Sequence, residues 1–175
     1  MSRGPRYRVH FRRRREGVTD YRQRLRLLLS DEPRAVVRVS NTRVFVSLTV
    51  FDPVGDRVVA AASSGELEQI GFPSTSLRST PAAYLTGYLA GLRAKEGGAT
   101  SAVLDAGLRH PTPGGRVVSA LKGLLDSGMT IPHGDPKSFP SADRLNGTHL
   151  RKPLDTPLEA YKGKLGGIAP RGGSA

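Results

Sequence analysis

The first 26 residues constrain the fold more than any other part of the sequence, because they hold more positive charge than a hydrophobic core can accept. They contain ten arginines, no lysine and only two acidic residues, Glu16 and Asp20, so they carry +8 of the formal net charge of +12. Four of the arginines are consecutive, at positions 12–15, and repel one another. We therefore predict that these charged residues do not join a hydrophobic core and that the stretch becomes ordered against a dense polyanion.

Nucleic acid is the polyanion that best fits this composition. The planar guanidinium of arginine can bind a phosphate or a base edge with two hydrogen bonds, and it can stack on bases. Tyr7, His10 and Phe11 are interleaved with the arginines, which favours unpaired RNA bases over a regular duplex. A solvated charge run or a targeting peptide is the alternative. A transit peptide, however, would normally be rich in serine and followed by a cleavage context, and neither is apparent.

Most candidate RNA-binding residues are basic and aromatic side chains between residues 3 and 15. Two more are arginines of the helix predicted over 20–29, and the last two are basic residues that open the C-terminal tail. We expect the arginines to bind mainly phosphates, while Tyr7 and Phe11 stack on bases or pack against the domain. The full set is Arg3, Arg6, Tyr7, Arg8, Phe11, Arg12, Arg13, Arg14, Arg15, Arg22, Arg24, Arg151 and Lys152.

Charge and hydrophobic patterning divide the chain into four parts. Residues 27–149 carry about +1 and contain the periodic apolar patterns, whereas both ends are basic and poor in them. The length of 175 residues suits one domain with extensions. We predict a basic RNA-binding arm over 1–19, an α/β globular domain over 20–130, a docking segment rich in proline and glycine over 131–150, and a flexible basic tail over 151–175.

The composition also excludes several classes of protein. The sequence has no cysteine, which excludes disulfides and thiolate metal sites and agrees with an intracellular location. It has no apolar run near the roughly 18 residues that span a bilayer, and no signal peptide is visible. We therefore expect a soluble cytoplasmic protein with no membrane partner.

The central region predicts an α/β fold with the element order β-β-β-α-β-α after a short helix. Runs of β-branched residues joined by turns at Asn41-Thr42 and at residues 52–55 predict a three-strand antiparallel meander. A crossover would place the fourth strand beside the first, with helices packed on the sheet, in a ribonuclease H-like order. The predicted strands are 34–40, 43–51, 57–62 and 101–106, and the predicted helices are 20–29, 80–95 and 116–127.

Two features concern the long helix that begins near residue 80. Thr80 is its expected N-terminal cap, and Pro81 would occupy the first helical position, where its missing N–H costs nothing. Ala83, Gly87 and Gly91 recur every four residues. We therefore expect this helix to bring its backbone close to another packed element.

Residues 111–116, PTPGGR, form the connection into the last helix of the predicted domain. One interpretation is a tight strand-to-helix turn capped by Thr112. The other is contact with an RNA phosphate at the helix N-terminus. A P-loop is excluded because no lysine-serine pair follows the glycines.

The sequence does not support catalytic or metal-binding chemistry. A ribonuclease H-type enzyme needs clustered carboxylates, usually with one on the first strand, and this first strand has none. A turn or a strand end explains Asp52, Asp56 and Asp105, and the four histidines show no metal-ligand spacing. No Gly-x-Ser-x-Gly motif is present. We predict no catalytic residue, no metal, no cofactor and no enzyme activity.

Several short segments, in order along the chain, resemble one family of ribosomal proteins. The resemblance covers about residues 3–150, and an ordered series of short matches is more specific than any single motif. The chain is similar to the 5S rRNA-binding proteins of the large ribosomal subunit, universal family eighteen, in their archaeal form. The matching segments are GPRYRV (4–9), FRRRREG (11–17), TDY (19–21), TPAAYLTG (80–87), VLD (103–105) with Gly107-Leu108, PTPG (111–114), ALKG (120–123), IPHG (131–134), and FPS (139–141) with Asp143-Arg144.

This resemblance implies a structural protein of the cytoplasmic large ribosomal subunit. It would bind 5S rRNA chiefly through the arm and bridge it to 23S rRNA in the central protuberance. Its neighbours would be other large-subunit proteins, including another 5S rRNA-binding protein. Two alternatives remain at this point: a free-standing RNA-binding or chaperone protein, and a metal-dependent nuclease.

Overall fold

A computed structural model describes residues 4–150, 154 and 156–167. It contains four strands and six helices, together with three short 3-10 segments, at Ser64–Ile70, Ser74–Ser76 and Pro136–Ser138, within these described residues. The helices and strands are α1 (Arg12–Arg15), α2 (Tyr21–Leu28), β1 (Arg34–Val39), β2 (Val44–Val50), β3 (Arg57–Ser63), α3 (Thr80–Glu96), β4 (Val103–Asp105), α4 (Arg116–Asp126), α5 (Ala142–Leu145) and α6 (Leu158–Leu165).

The four strands form one mixed sheet in the order β3-β2-β1-β4. β1 and β2 pair antiparallel, β2 and β3 pair antiparallel, and β4 lies parallel to β1. Within the first hairpin, the Ser40 N–H donates to the Arg43 carbonyl oxygen at 2.9 Å. The predicted meander and the position of the fourth strand beside the first are therefore confirmed, and the fold is α/β as expected.

The two faces of the sheet differ because side chains alternate along each strand. In β1, Ala35, Val37 and Val39 are buried in the core. Arg34 and Arg38 alternate with them and lie on the opposite face. α3 and α4 pack over the apolar face, so the core lies between the sheet and these two helices.

α3 and α4 approach each other closely because both carry glycines at their contact. A Cβ added at Gly87 would lie 2.1 Å from the Ala120 carbonyl oxygen, and one added at Gly123 would lie 2.1 Å from the Tyr84 carbonyl oxygen. The close backbone approach predicted for the long helix is confirmed. The Tyr84 hydroxyl also donates to Asp126 at 2.5 Å and so links the two helices. Among the described residues, every helix is too short or too polar to span a bilayer.

The two predicted helix caps are wrong by a few residues. Ser79 caps α3, and its Oγ accepts from the Ala82 N–H at 3.4 Å, while Thr80 is already helical. Gly115 is the N-cap residue of α4 and provides no side-chain cap. The Thr112 carbonyl oxygen instead accepts from the Gly115 N–H at 2.9 Å within the preceding turn. A cap residue needs an extended backbone, which Ser79 and Gly115 adopt.

The chain after residue 130 packs on the domain at several points. Ile131 and Leu145 are buried, and the Gly114 N–H donates to the Ser138 carbonyl oxygen at 2.8 Å. Ser141 caps α5 by accepting from the Arg144 N–H at 3.4 Å.

α6 contradicts the prediction that the tail is flexible throughout. Leu158, Tyr161 and Leu165 are buried, and the Tyr161 ring centre lies 5.3 Å from that of Phe72. Their spacing puts all three side chains on one helical face, which docks on the core. The rest of the expected tail, residues 151–153, 155 and 168–175, lies outside the described residues.

Candidate nucleic-acid interface

The N-terminal arm stands outside the packed domain. Every residue from 4 to 18 is exposed. The side chains of the two aromatic candidates follow the same pattern, with Tyr7 40% and Phe11 74% exposed. Residues 4–18 of the basic stretch therefore lie outside the core, as predicted.

Within the arm, the four consecutive arginines form the single turn of α1. Successive side chains on a helix are about 100° apart, so the four guanidinium groups spread around the axis instead of sharing a face. Arg12 Nε lies 3.7 Å from Glu16 Oε1, but both side chains are largely exposed and such pairs contribute little. Arg13 Nε donates to Thr19 Oγ1 at 2.8 Å and holds the turn near the start of α2.

α2 connects the arm to the sheet. Asp20 caps it by accepting from the Arg22 and Gln23 N–H groups at 2.9 and 3.2 Å. The leucines of this helix are only partly covered, since Leu25 is 61% and Leu29, which follows its last turn, 78% exposed. The helix thus holds its position more by polar contacts at its ends and sides than by burial.

A concavity of about 1000 Å3, here called the arm cleft, opens between the arm, α2 and the sheet. Its lining includes Arg13 from the arm, Arg24 from α2, Arg34 and Arg38 from β1, and Arg109 from the loop after β4. The cleft therefore gathers arginines from four separate parts of the sequence.

Two carboxylates hold three of these arginines at the floor of the arm cleft. Arg24 Nη2 lies 2.8 Å from Asp56 Oδ1, and the buried Arg34 donates to both Asp56 and Asp105, to the latter at 3.0 Å. Arg38 Nη2 lies 3.1 Å from the second oxygen of Asp105. The network ties α2, β1, the start of β3 and the end of β4 together.

Asp56 shows the electrostatic effect of this network. Burial by itself would raise the pKa of Asp56, but the hydrogen bond from Arg24 and the charges of Arg34 and Arg24 outweigh it. The pKa of Asp56 is therefore held below its ordinary value, and the carboxylate stays ionised at neutral pH.

The same contacts account for the three aspartates considered for metal-dependent catalysis. Asp56 and Asp105 are engaged by arginines, and Asp52 accepts from the Val54 N–H at 2.9 Å inside its turn. Within the part of the chain that the structure describes, no group of three or more His, Asp or Glu side chains could hold a metal ion. The carboxylates of the cleft organise arginines.

Comparison with known proteins identifies the family. The model of the family described as ribosomal large subunit proteins 60S L5 and 50S L18 matches residues 5–97 and 93–134. The chain belongs to this family. Large ribosomal subunit protein uL18 of Methanoregula boonei is 48% identical over 168 residues, covering 96% of this chain and 91% of the relative. The uL18 protein of Korarchaeum cryptofilum is 51% identical over 150 residues, covering 86% and 76%.

These comparisons confirm the resemblance to archaeal uL18 proteins seen in the sequence. A third relative, the uL18 protein of Haloferax mediterranei, is 48% identical over 161 residues and covers 90% of this chain and 86% of its own length. The family match begins at residue 5 and so includes nearly all of the arm. The family model thus covers most of the arm as well as the packed domain.

The candidate residues fall into three groups in the structure. Arg3, Arg151 and Lys152 lie outside the described residues. Arg24 is half-buried and bound to Asp56. The remaining candidates are exposed on the arm and α2, and they are Arg6, Tyr7, Arg8, Phe11, Arg12, Arg13, Arg14, Arg15 and Arg22.

The sequence interpretation missed three arginines of the arm cleft. Arg34 and Arg38 lie four residues apart on β1, a spacing that puts them on one face of a strand, so the alternation could have revealed them. Arg109 carries no such pattern, because it follows β4 in an irregular loop. Only the fold brings it to the cleft.

Proposed function

We propose that this protein binds 5S rRNA through its N-terminal arm and bridges it to 23S rRNA in the central protuberance of the large ribosomal subunit. Membership of the uL18 family supports the coarser part of this role: a structural, non-enzymatic protein of the cytoplasmic large subunit with rRNA as its partner. Its neighbours there would be other large-subunit proteins, including another 5S rRNA-binding protein. The proposal that the protein binds 5S rRNA and bridges it to 23S rRNA rests on the arm.

The observation that carries the proposal is the exposed, unneutralised charge of the arm. None of Arg14, Arg15 and Arg22 forms an ion pair with a carboxylate among the described residues. Exposed arginines at this density gain most from a polyanion, because they neutralise its phosphates and release the cations condensed on it. RNA supplies that charge along its whole length.

The aromatic residues of the arm add a second kind of contact. Phe11 lies 5.4 Å, ring centre to ring centre, from Tyr21, yet 74% of Phe11 remains exposed. An unpaired base stacked on such a ring contributes about 1–3 kcal/mol of binding free energy. Arginines on phosphates and rings on splayed bases together favour folded RNA with unpaired nucleotides.

A competition experiment separates this role from that of a free-standing RNA chaperone. The full chain is bound to labelled 5S rRNA at moderate salt, and unlabelled 5S rRNA or an unrelated structured RNA of equal length is added. We expect 5S rRNA to compete at least 10-fold better, since the arm and the cleft fit one RNA shape. Equal competition by both RNAs would instead support the chaperone.

A further inference from the structure

A second concavity lies where α3 and α4 begin, on residues that the arm cleft does not share. This helix-end pocket has a volume of about 470 Å3. Its basic lining residues are Arg78, Arg116 and His149, and hydroxyl groups of residues 75–80 line it as well. No aspartate or glutamate lines the pocket, whereas three aspartates line the arm cleft.

The positive charge at the helix-end pocket has no acidic counterpart nearby. Among the described residues, no carboxylate forms an ion pair with Arg78, Arg109, Arg116 or Arg144. Burial, followed by the charges of Arg109 and Arg78, lowers the pKa of Arg116, and burial together with Arg144 lowers that of His149. Burial and the neighbouring arginines therefore both disfavour positive charge at this site, and a bound anion would offset that cost.

Backbone contacts hold two of these arginines in place. Arg78 Nη1 donates to the Asn41 carbonyl oxygen at 2.9 Å, and Arg144 Nε donates to the Gly114 carbonyl oxygen at 2.9 Å. Each contact uses one of the five N–H donors of a guanidinium group. The side chains are thus oriented by the fold while most of their donors are left for a ligand.

The N-termini of α3 and α4 add to the positive electrostatic potential at the helix-end pocket. The N-terminus of α4 has no side-chain cap, and that of α3 has only the long hydrogen bond to Ser79. Uncapped N–H groups and the helix dipole favour negative charge at this end. Their contribution reinforces the arginines, which carry the argument.

We propose that the helix-end pocket binds the phosphate backbone of an RNA segment different from the one that the arm binds. The arginines in and around the pocket carry more positive charge than is needed to bind a single phosphate. Arg109 and Arg144 act on the pocket from outside its lining, so the ligand extends beyond it as a polynucleotide does. This inference rests on the proposed function, in which the arm takes 5S rRNA and 23S rRNA is the second RNA. The pocket then supplies the 23S side of the bridge.

The test uses the full chain with two RNA probes and a triple variant, Arg78→Gln with Arg116→Gln and Arg144→Gln. We measure the affinity of each protein for 5S rRNA, and then the capture of the preformed 5S rRNA complex by 23S rRNA. The expected result is a change below 3-fold for 5S rRNA and a loss of at least 10-fold in 23S rRNA capture.

Two control variants make the result specific. Replacing Arg57, Lys95 and Lys164, which are exposed elsewhere, by glutamine removes the same charge and should leave both steps within 3-fold. Replacing the three pocket arginines by lysine keeps the charge, and it should restore most of the capture. An unchanged thermal midpoint shows that the variants fold.

The remaining outcomes each bear on one of the two proposals. Unchanged 23S rRNA capture in the glutamine variant overturns the pocket as an RNA site, and so does an equal loss for both RNAs, which would mean one continuous surface. If arm substitutions leave 5S rRNA binding intact while the pocket variant loses capture, the role of the arm fails and the pocket stands.

Discussion

The arm and the packed domain use the same side chain in opposite ways. In the arm, Arg14 and Arg15 are exposed and have no ion pair with a described carboxylate. In the domain, Arg34 is 3% exposed and bound by two aspartates, and Arg93 donates to Glu66 at 2.6 Å. The number of arginines in a segment therefore does not reveal their role. Burial beside a carboxylate does, because a buried and paired arginine ties elements of the fold together, whereas an exposed arginine leaves its N–H donors open to a ligand.

Replacing Arg34 by methionine tests the domain side of this comparison with the largest expected effect on stability. The change leaves Asp56 and the buried Asp105 without a shared cation, although each keeps a second arginine. We expect the free energy of unfolding to fall by about 3 kcal/mol. Urea denaturation measures it, and Arg14→Met is the matched control, with a change below about 0.5 kcal/mol. Equal losses in both variants would remove the distinction between the two regions.

A single methyl group sharpens the comparison without involving charge. Gly87→Ala would place a Cβ 2.1 Å from a backbone oxygen of α4, so one helix has to move. We expect a loss of about 1–3 kcal/mol in unfolding free energy. Gly4→Ala in the arm, where nothing lies within 4 Å, should have almost no effect in the same denaturation experiment. If Gly87→Ala leaves the unfolding free energy unchanged, the contact between α3 and α4 is loose.

Acid should weaken the domain in a way that depends on Asp56, and this is the smallest effect expected. The pKa of Asp56 is lowered in the fold, so its stabilising contribution is present above its unfolded pKa and is lost as pH falls through the folded value. We expect the stability difference between the natural chain and Asp56→Asn to be largest near neutral pH and to shrink in strong acid. A constant difference across that range would show that the ionised form of Asp56 contributes nothing.

Local patterns were enough to predict most of the fold. Alternating β-branched runs and the turns between them gave the meander, and the helical spacing gave α3 and α4. The exact helix starts could not be predicted, because Ser79 and Thr80 are adjacent and both can cap, and only the backbone conformation distinguishes them. α6 was missed because its three buried side chains gain stability only from docking on distant residues such as Phe72.

The candidate site was predictable in its exposed part and not in its buried part. The arginines of the arm are visible in the sequence because they are dense, four of them are consecutive, and few apolar neighbours accompany them. The network of Arg24, Arg34 and Arg38 joins residues far apart in the chain, and no local signal pairs Arg34 with Asp105. The sequence interpretation therefore placed Arg24 among the free RNA-binding side chains, whereas the structure binds it to Asp56.

The account depends most directly on the charge of α1, and the salt dependence of 5S rRNA binding measures it. A variant with Arg12, Arg13, Arg14 and Arg15 replaced by alanine is compared with one that loses four exposed cations elsewhere, at Arg57, Lys95, Lys137 and Lys164. We predict that the arm variant binds at least roughly 100-fold more weakly and that its slope of log affinity against log salt falls by roughly 3. The account is contradicted if the two variants lose the same affinity and the same slope.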